Sequence, residues 1–271
     1  IHAPGLRLCP DVEIAAVADL DAAAAAAIGA PAIYDDPARL LAEANVDAVV
    51  VAAPNYLHHE LTLAALASGR HVLCEKPLAM AAPEAEEMLE AAERAGRVHM
   101  TAFTYEFAPA VRYLKRLVET GELGEIRSVR ASYLMALSTH LLGWRSRTSL
   151  AGSGVLGDIG SHLIHIVQWL AGDLTALTAW QRRFREDPDS DVEDWISFLG
   201  EFASGACGTF EISRVCPGRG ADIGEDMFVE IYGTKGGAAF SLQEPLTLEV
   251  ALGEAGRDPA RRLERVAIPE E

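Results

Sequence analysis

The chain has 271 residues, half of them hydrophobic, and a formal net charge of −17. That length allows one large or two ordinary domains with a sizeable core, and no uninterrupted apolar run reaches membrane length. The acidity argues against nucleic acid or an anionic membrane as partner. The four cysteines, Cys9, Cys74, Cys207 and Cys216, lack zinc or redox spacing. No metal site is expected from them, and they fit a reducing, cytoplasmic setting.

In chain order, residues 12–19 read as a strand ending in an acid, and 21–28 as an alanine-rich helix closed by Gly29. A short strand at 32–34 follows. Asp36-Pro37 opens a helix through Ala44, with Asp as N-cap and Pro in the first turn. Residues 46–53 form a continuous apolar run, the pattern of a strand buried on both faces. A helix at 56–68 ends at Gly69, a strand occupies 71–75, a helix at 83–95 ends at Gly96, and a strand occupies 98–103. This alternation predicts βαβ units in a doubly wound, Rossmann-type parallel sheet. Ligands of such sheets bind beyond the carboxyl ends of the strands. Those ends carry Asp19, Pro54-Asn55 and Glu75-Lys76-Pro77.

After about Phe103 the rhythm changes. A helix at 108–120 and a turn at 121–124 precede strand-like runs at 126–134, 174–184, 195–202, 206–215, 228–232, 238–242 and 246–252. Turn residues separate most of them. The prediction is a second, α+β domain with a mostly antiparallel, open-faced sheet. The boundary is placed between a dinucleotide-binding domain at 1–105 and a substrate-binding and oligomerisation domain at 106–271. A sheet uncovered on one face calls for a partner, most often a symmetric copy, so a dimer or tetramer is expected.

Between these strands lies 152–172, GSGVLGDIGSHLIHIVQWLAG. On one α-helix, Leu156, Ile159, Leu163, Ile166, Val167 and Leu170 share an apolar face. Asp158, His162, His165 and Trp169 line a second, narrow stripe. Asp158 in the first turn gains from the helix dipole. The same dipole favours a neutral His162 able to accept a proton, opposed by the nearby Asp158 charge. The alternative is that Asp158 is an N-cap and both histidines are merely packed or solvated. Gly152, Gly154 and Gly157 spell G-x-G-x-x-G, but no strand precedes them, so a phosphate site is rejected there. These glycines instead let the helix start close to other backbone.

At Glu75-Lys76-Pro77 a lysine leaves a strand end where the ligand crevice should lie. The neighbouring carboxylate and a proline-fixed turn would hold its ammonium against a substrate hydroxyl or a neighbouring base. A plain surface lysine is the alternative.

HVLCEKPLA, with AAPNYLHHE upstream and GDIGSH downstream, resembles the glucose–fructose oxidoreductase and inositol dehydrogenase family (Gfo/Idh/MocA). The likeness continues through GELGEI at 121–126, Trp144-Arg145, DVED at 191–194 and YGTKG at 232–236, nearly the whole chain. The resemblance implies a nicotinamide-dependent oxidoreductase acting on sugars, polyols and related compounds. It makes Lys76, Asp158 and His162 the catalytic set, converging on one cleft, with His162 taking the hydroxyl proton. Cofactor contacts are implied for Asp19, Pro54, Asn55, His58, Glu75 and Lys76, and substrate contacts for Tyr105, Arg145 and His165. Asp19 matches the acid that meets the adenine ribose, favouring NAD over NADP. A cis Lys76–Pro77 bond is expected at so sharp a turn.

The sequence departs from the family in lacking its opening strand and glycine-rich loop. The natural protein is therefore expected to be longer at its N-terminus, and the parallel sheet to show a gap. Many relatives also carry an acid where His165 stands, and most continue beyond Glu271. Two rival functions share the scaffold: a cofactor- or sugar-sensing protein without turnover, and an NAD-assisted glycoside hydrolase.

Overall fold

Capping chemistry sets the limits of the first elements. The computed structural model describes residues 2–137, 143–219, 225–253 and 262–268. After a short helix α1 (His2–Leu6), strand β1 (Ala16–Ala18) leads into α2 (Ala22–Ile28). The Asp21 side chain accepts from the amides of Ala23 and Ala24, and Gly29 closes α2 at φ 68°. Strand β2 (Ala32–Tyr34) precedes α3 (Pro37–Glu43), whose Asp36 cap accepts from Ala38 N–H at 2.8 Å. Each cap satisfies amides that have no partner inside the helix. Strand β3 (Ala48–Val51), α4 (Asn55–Ala67), β4 (His71–Cys74), α5 (Ala82–Ala95) and β5 (His99–Thr101) continue the alternation.

All of these strands pair in parallel, in two separate pieces, β1–β2 and β3–β4–β5. The interruption falls between β1 and β3, where the sequence predicted a gap. It also corrects the expectation for 46–53. The strand is only four residues long, and Val51 is its one buried residue, while Val49 and Val50 are half-buried. As the edge of its sheet, β3 lacks the cover that a central strand receives. A small core of Val51, Ala65, Leu66, Val72, Cys74, Met88 and Ala92 lies between this sheet and α4 and α5.

Residues Ile1–Ala102 form one compact unit and Phe103–Glu271 a second. The second opens with a single turn at Thr104–Phe107 and α6 (Pro109–Glu119), which buries Ala110, Val111, Leu114 and Leu117. Gly121 and Gly124, both at positive φ, turn the chain into β6 (Ile126–Leu134). Then come α7 (Thr148–Ala151), α8 (Ser161–Ala171), β7 (Leu174–Arg182), β8 (Trp195–Phe202) and β9 (Cys207–Ser213). Strands β10 (Asp226–Gly233), β11 (Gly237–Ser241), β12 (Thr247–Ala251) and β13 (Glu264–Ala267) follow.

Among the described residues these strands make one eight-stranded sheet, ordered β13-β12-β11-β10-β6-β9-β8-β7. Every pairing is antiparallel except β6 with β9. Period-two alternation puts Val129, Ala131, Tyr133, Phe198, Phe210 and Ile212 on the inner face, under α8. The outer face carries the exposed Arg130, Leu199, Thr209 and Glu211, and among the described residues no helix lies over it. The helical stretch Thr148–Ala171 is long and apolar enough to cross a membrane by length and composition. Here Leu163, Ile166, Val167 and Leu170 of that stretch are buried in the core of the unit.

Candidate active site

In the N-terminal unit, the predicted residues gather at strand ends. Asp19 lies just past β1, exposed, and its Oδ1 accepts from Asp21 N–H at 2.9 Å. Pro54 and Asn55 lead from β3 into α4, with Asn55 buried. Lys76 and Pro77 follow β4, joined by a cis peptide bond, as the sequence predicted. The Glu75 carboxylate turns back on its own chain: Oε2 accepts from Lys76 N–H at 3.0 Å, and Oε1 meets His2 Nε2 at 2.7 Å.

His58 lies in the first turn of α4. It is 1% exposed, with Nδ1 2.8 Å from the Pro77 carbonyl and Nε2 2.8 Å from the Ala53 carbonyl. Both partners only accept, so the ring donates to one of them when neutral and to both when protonated. Its effect is to tie the 53–55 loop to the Lys76 loop.

In the second unit the structure corrects the single α-helix predicted over 152–172. Chain α7 stops at Gly152, with φ 84°, and residues Leu156–Gly160 form a wider π-helical turn before α8 begins. Asp158 therefore sits in the π turn, not in the first turn of α8, and it caps neither helix start. The cause is Glu193. Its carboxylate accepts from the amides of Gly154 and Leu156, and its main-chain carbonyl accepts from Val155 N–H at 3.0 Å. Gly154 has to be a glycine, since a Cβ there would lie 1.9 Å from the Glu193 carbonyl oxygen. The amides that an anion would need are already taken by a carboxylate of the chain itself, which is the physical reason the G-x-G-x-x-G is not a phosphate loop. Turns of this kind recur at functional sites.

Asp158 Oδ1 lies 3.6 Å from Nε of Arg145, whose guanidinium stacks on Trp144 at 4.2 Å. His162, the second residue of α8, is 9% exposed and wedged among aromatic rings. Ring centroids lie at 4.7 Å to Tyr105, 5.9 Å to Phe103 and 6.5 Å to Tyr133. The Tyr105 hydroxyl donates to the Glu225 carboxylate and lies 3.0 Å from the Tyr133 hydroxyl. Burial pushes both phenols well above their ordinary pKa, and the Glu225 charge adds to it. Both are therefore neutral donors at any physiological pH. His165 stacks on Phe103 at 4.1 Å and pairs through Nε2 with Glu106 at 2.8 Å.

The structure thus brings Asp158 to Arg145, His162 to Tyr105, and the Asn55 loop to the Lys76 loop. Sequence reasoning missed the roles of Glu106, Tyr133, Glu193 and Glu225. It gave no role to Arg214, which is 2% exposed. The readable signal was its register: alternation along β9 places an arginine on the apolar side with Phe210 and Ile212.

Comparison with known proteins agrees with this architecture. The profile described as the oxidoreductase family with an NAD-binding Rossmann fold matches residues 1–103, and that of the GFO/IDH/MocA C-terminal domain matches 111–239. The levoglucosan dehydrogenase of Pseudarthrobacter phenanthrenivorans is 36% identical over 250 residues, spanning 83% of this chain and 61% of that protein. The chain thus covers less than two thirds of that relative. An oxidoreductase domain protein from Kribbella flavida superimposes with a TM-score of 0.89 at 33% identity, covering 99% of this chain and 77% of that one. A levoglucosan dehydrogenase in complex with NADH and levoglucosan gives 0.86 at 33% identity, over 93% and 70% of the two chains. With parallel strand ends carrying Asp19 and Lys76, a π turn carrying Asp158 and matches along nearly its whole length, this chain belongs to the GFO/IDH/MocA family of oxidoreductases.

Proposed function

We propose that the protein is an NAD(P)-dependent oxidoreductase that moves a hydride between the nicotinamide and a carbinol carbon of a sugar or polyol. The observation that carries this reading is the pairing, on consecutive helical turns, of Asp158 held by Arg145 with His162 enclosed by aromatic rings. Relatives named for carbohydrate dehydrogenation, one of them solved with NADH, support the substrate class.

The strand ends of the N-terminal unit fit a dinucleotide. The exposed Asp19 carboxylate, its Oδ1 accepting from Asp21 N–H, lies past β1, where an adenine ribose would be met, and the two loops tied by His58 lie past β3 and β4. When bound, the nicotinamide supplies the carbon that accepts or returns the hydride. Asp19 would hydrogen-bond the ribose hydroxyls and repel a 2′-phosphate, which favours NAD over NADP. Pro54, Asn55 and the Glu75-Lys76-Pro77 turn would hold the nicotinamide end.

The chain's own chemistry follows from its donors and acceptors. His162 takes the proton of the substrate hydroxyl as the carbonyl forms, and returns it in reduction. Its aromatic surroundings keep water from competing for that proton. Asp158 and Lys76 orient the hydroxyl, while Arg145 keeps the Asp158 carboxylate turned toward it. Tyr105 stays neutral and, with its hydroxyl engaged by Glu225, offers the substrate a ring face. The imidazole of His165, fixed by Glu106, contacts a second substrate hydroxyl. On the outer face of the eight-stranded sheet, Trp180 and Leu199 are each at least 60% exposed. A second copy of the chain covering that face is the assembly this reading expects.

The test is a panel of sugars and polyols incubated with the full chain and NAD or NADP, followed at the NADH absorbance. Turnover on at least one carbohydrate is the expected result. Saturable cofactor binding without turnover, or glycoside cleavage without NADH release, would replace this reading with a sensor or a hydrolase.

A further inference from the structure

Arg214 is the largest fully buried side chain among the described residues, and a lone guanidinium in a core is expensive unless its charge is answered. Its Nη2 donates to the main-chain carbonyl of Glu193 at 3.1 Å, the same oxygen that receives Val155 N–H at 3.0 Å. Its own amide donates to the Asp194 carbonyl at 3.1 Å, and its carbonyl accepts from Leu137 N–H and from the Arg185 side chain. The Glu193 carboxylate in turn holds the amides of Gly154 and Leu156 at 2.8–3.0 Å. One step further, Asp158 N–H donates to the Gly154 carbonyl at 3.0 Å. The contacts form a line from the core to the π turn: Arg214, then Glu193, then 154–156, then Asp158.

The charges lie along the same line. Burial pushes the Arg214 pKa down, and the largest charge opposing that loss is Asp158, followed by Glu193 and Asp194. Arg185 acts against it. Asp194 is committed to the amides of Phe184 and Arg185, and Glu193 to the turn, so both are fixed in place. Asp158 has Arg145 on its exposed side, from the turn at Gly143–Ser146.

We infer that Arg214 is a positioning residue for the Asp158 turn: with Glu193 it forms a bracket that fixes where the Asp158 carboxylate stands. The fork of a guanidinium suits this task because it meets a carbonyl while spreading its charge toward the carboxylates around it. The inference rests on the proposed oxidoreductase activity only for its kinetic readout. Its structural part is independent of turnover.

The experiment compares Arg214→Met, Arg214→Lys and wild type in the full chain by native-state hydrogen exchange and steady-state kinetics. In Arg214→Met the amides of Gly154, Val155 and Leu156 should exchange about tenfold faster or more, with little change in α6. Its kcat should fall about tenfold or more, with KM within about threefold, as expected for a misplaced catalytic group. Arg214→Lys keeps the charge and should recover part of that kcat. Unchanged exchange at 154–156 overturns the bracket. Faster exchange with an unchanged kcat overturns the positioning role. If Arg214→Met does not fold, Arg214→Lys decides, because it keeps the charge but loses the fork that meets the Glu193 carbonyl. Faster exchange at Gly154 and Leu156 with a lower kcat then upholds the bracket, and wild-type behaviour in both overturns it. A wild type inactive on every carbohydrate refutes the proposed function, and the exchange data alone then uphold or overturn the bracket.

Discussion

Gly154→Ala probes the packing on which the Asp158 turn depends. A Cβ at this position would stand 1.9 Å from the Glu193 carbonyl oxygen and 2.9 Å from its carbonyl carbon and its amide nitrogen. All three are backbone atoms, so no side chain can rotate away. Contacts of a real Cβ stay at 3.0 Å or beyond, so the turn and Glu193 must part by about 1.1 Å. That separation breaks the bonds from Gly154 and Leu156 to the Glu193 carboxylate, now at 2.8–3.0 Å. Hydrogen bonds to a charged group are worth roughly 1.5–3 kcal/mol each, so loss of the two donors costs about 3–6 kcal/mol. For a unit of this size that is a fall of about 6–24 °C in melting temperature. The assay is thermal unfolding followed by near-UV dichroism, with Gly5→Ala as control, since no atom lies within 4 Å of its new Cβ. The control should stay within about 0.5 kcal/mol of wild type. A Gly154→Ala protein melting within about 2 °C of wild type would refute the reasoning.

Three further outcomes are expected. His162→Ala should lower kcat by about 10²–10⁴-fold, the usual worth of a general base, and an unchanged kcat would remove His162 from the mechanism. Asp19→Ser should improve kcat/KM with NADP relative to NAD by about tenfold or more, because a carboxylate no longer faces the 2′-phosphate; an unaltered ratio would show that Asp19 does not meet the ribose. Sedimentation at micromolar concentration should give a dimer or tetramer that Leu199→Asp dissociates, and a wild-type monomer would contradict the covered sheet face.

Local chemistry made much of this fold legible in the sequence. Asp21, Gly29, Asp36 and Gly96 each mark a helix end in the structure as their residue types require. Strands β2, β6 and β8 occupy the residues that the apolar pattern marked. What failed to show was non-local. The run at 46–53 looks doubly buried, yet β3 is an edge, because burial depends on which strand lies beside it. The π turn is imposed by Glu193, 39 residues from Gly154, and no periodicity within 152–172 records that partner. Strand β13, Glu264–Ala267, carries charges that hide it, and it is stabilised by pairing with β12. At the site, the catalytic candidates were visible through short motifs. The residues that hold them, Glu193, Arg214 and Glu225, come from distant strands and loops, and only Arg214 left a trace in the register.

The central claim is direct hydride transfer between a carbohydrate carbon and the nicotinamide. Its sharpest test uses a substrate identified in the panel, deuterated at the reacting carbinol carbon, with the full chain and NAD or NADP in ordinary water. Mass spectrometry of the reduced cofactor should show one deuterium per molecule from the substrate, and none when unlabelled substrate is oxidised in heavy water. Reduced cofactor without substrate deuterium, or labelled from solvent, would contradict the account.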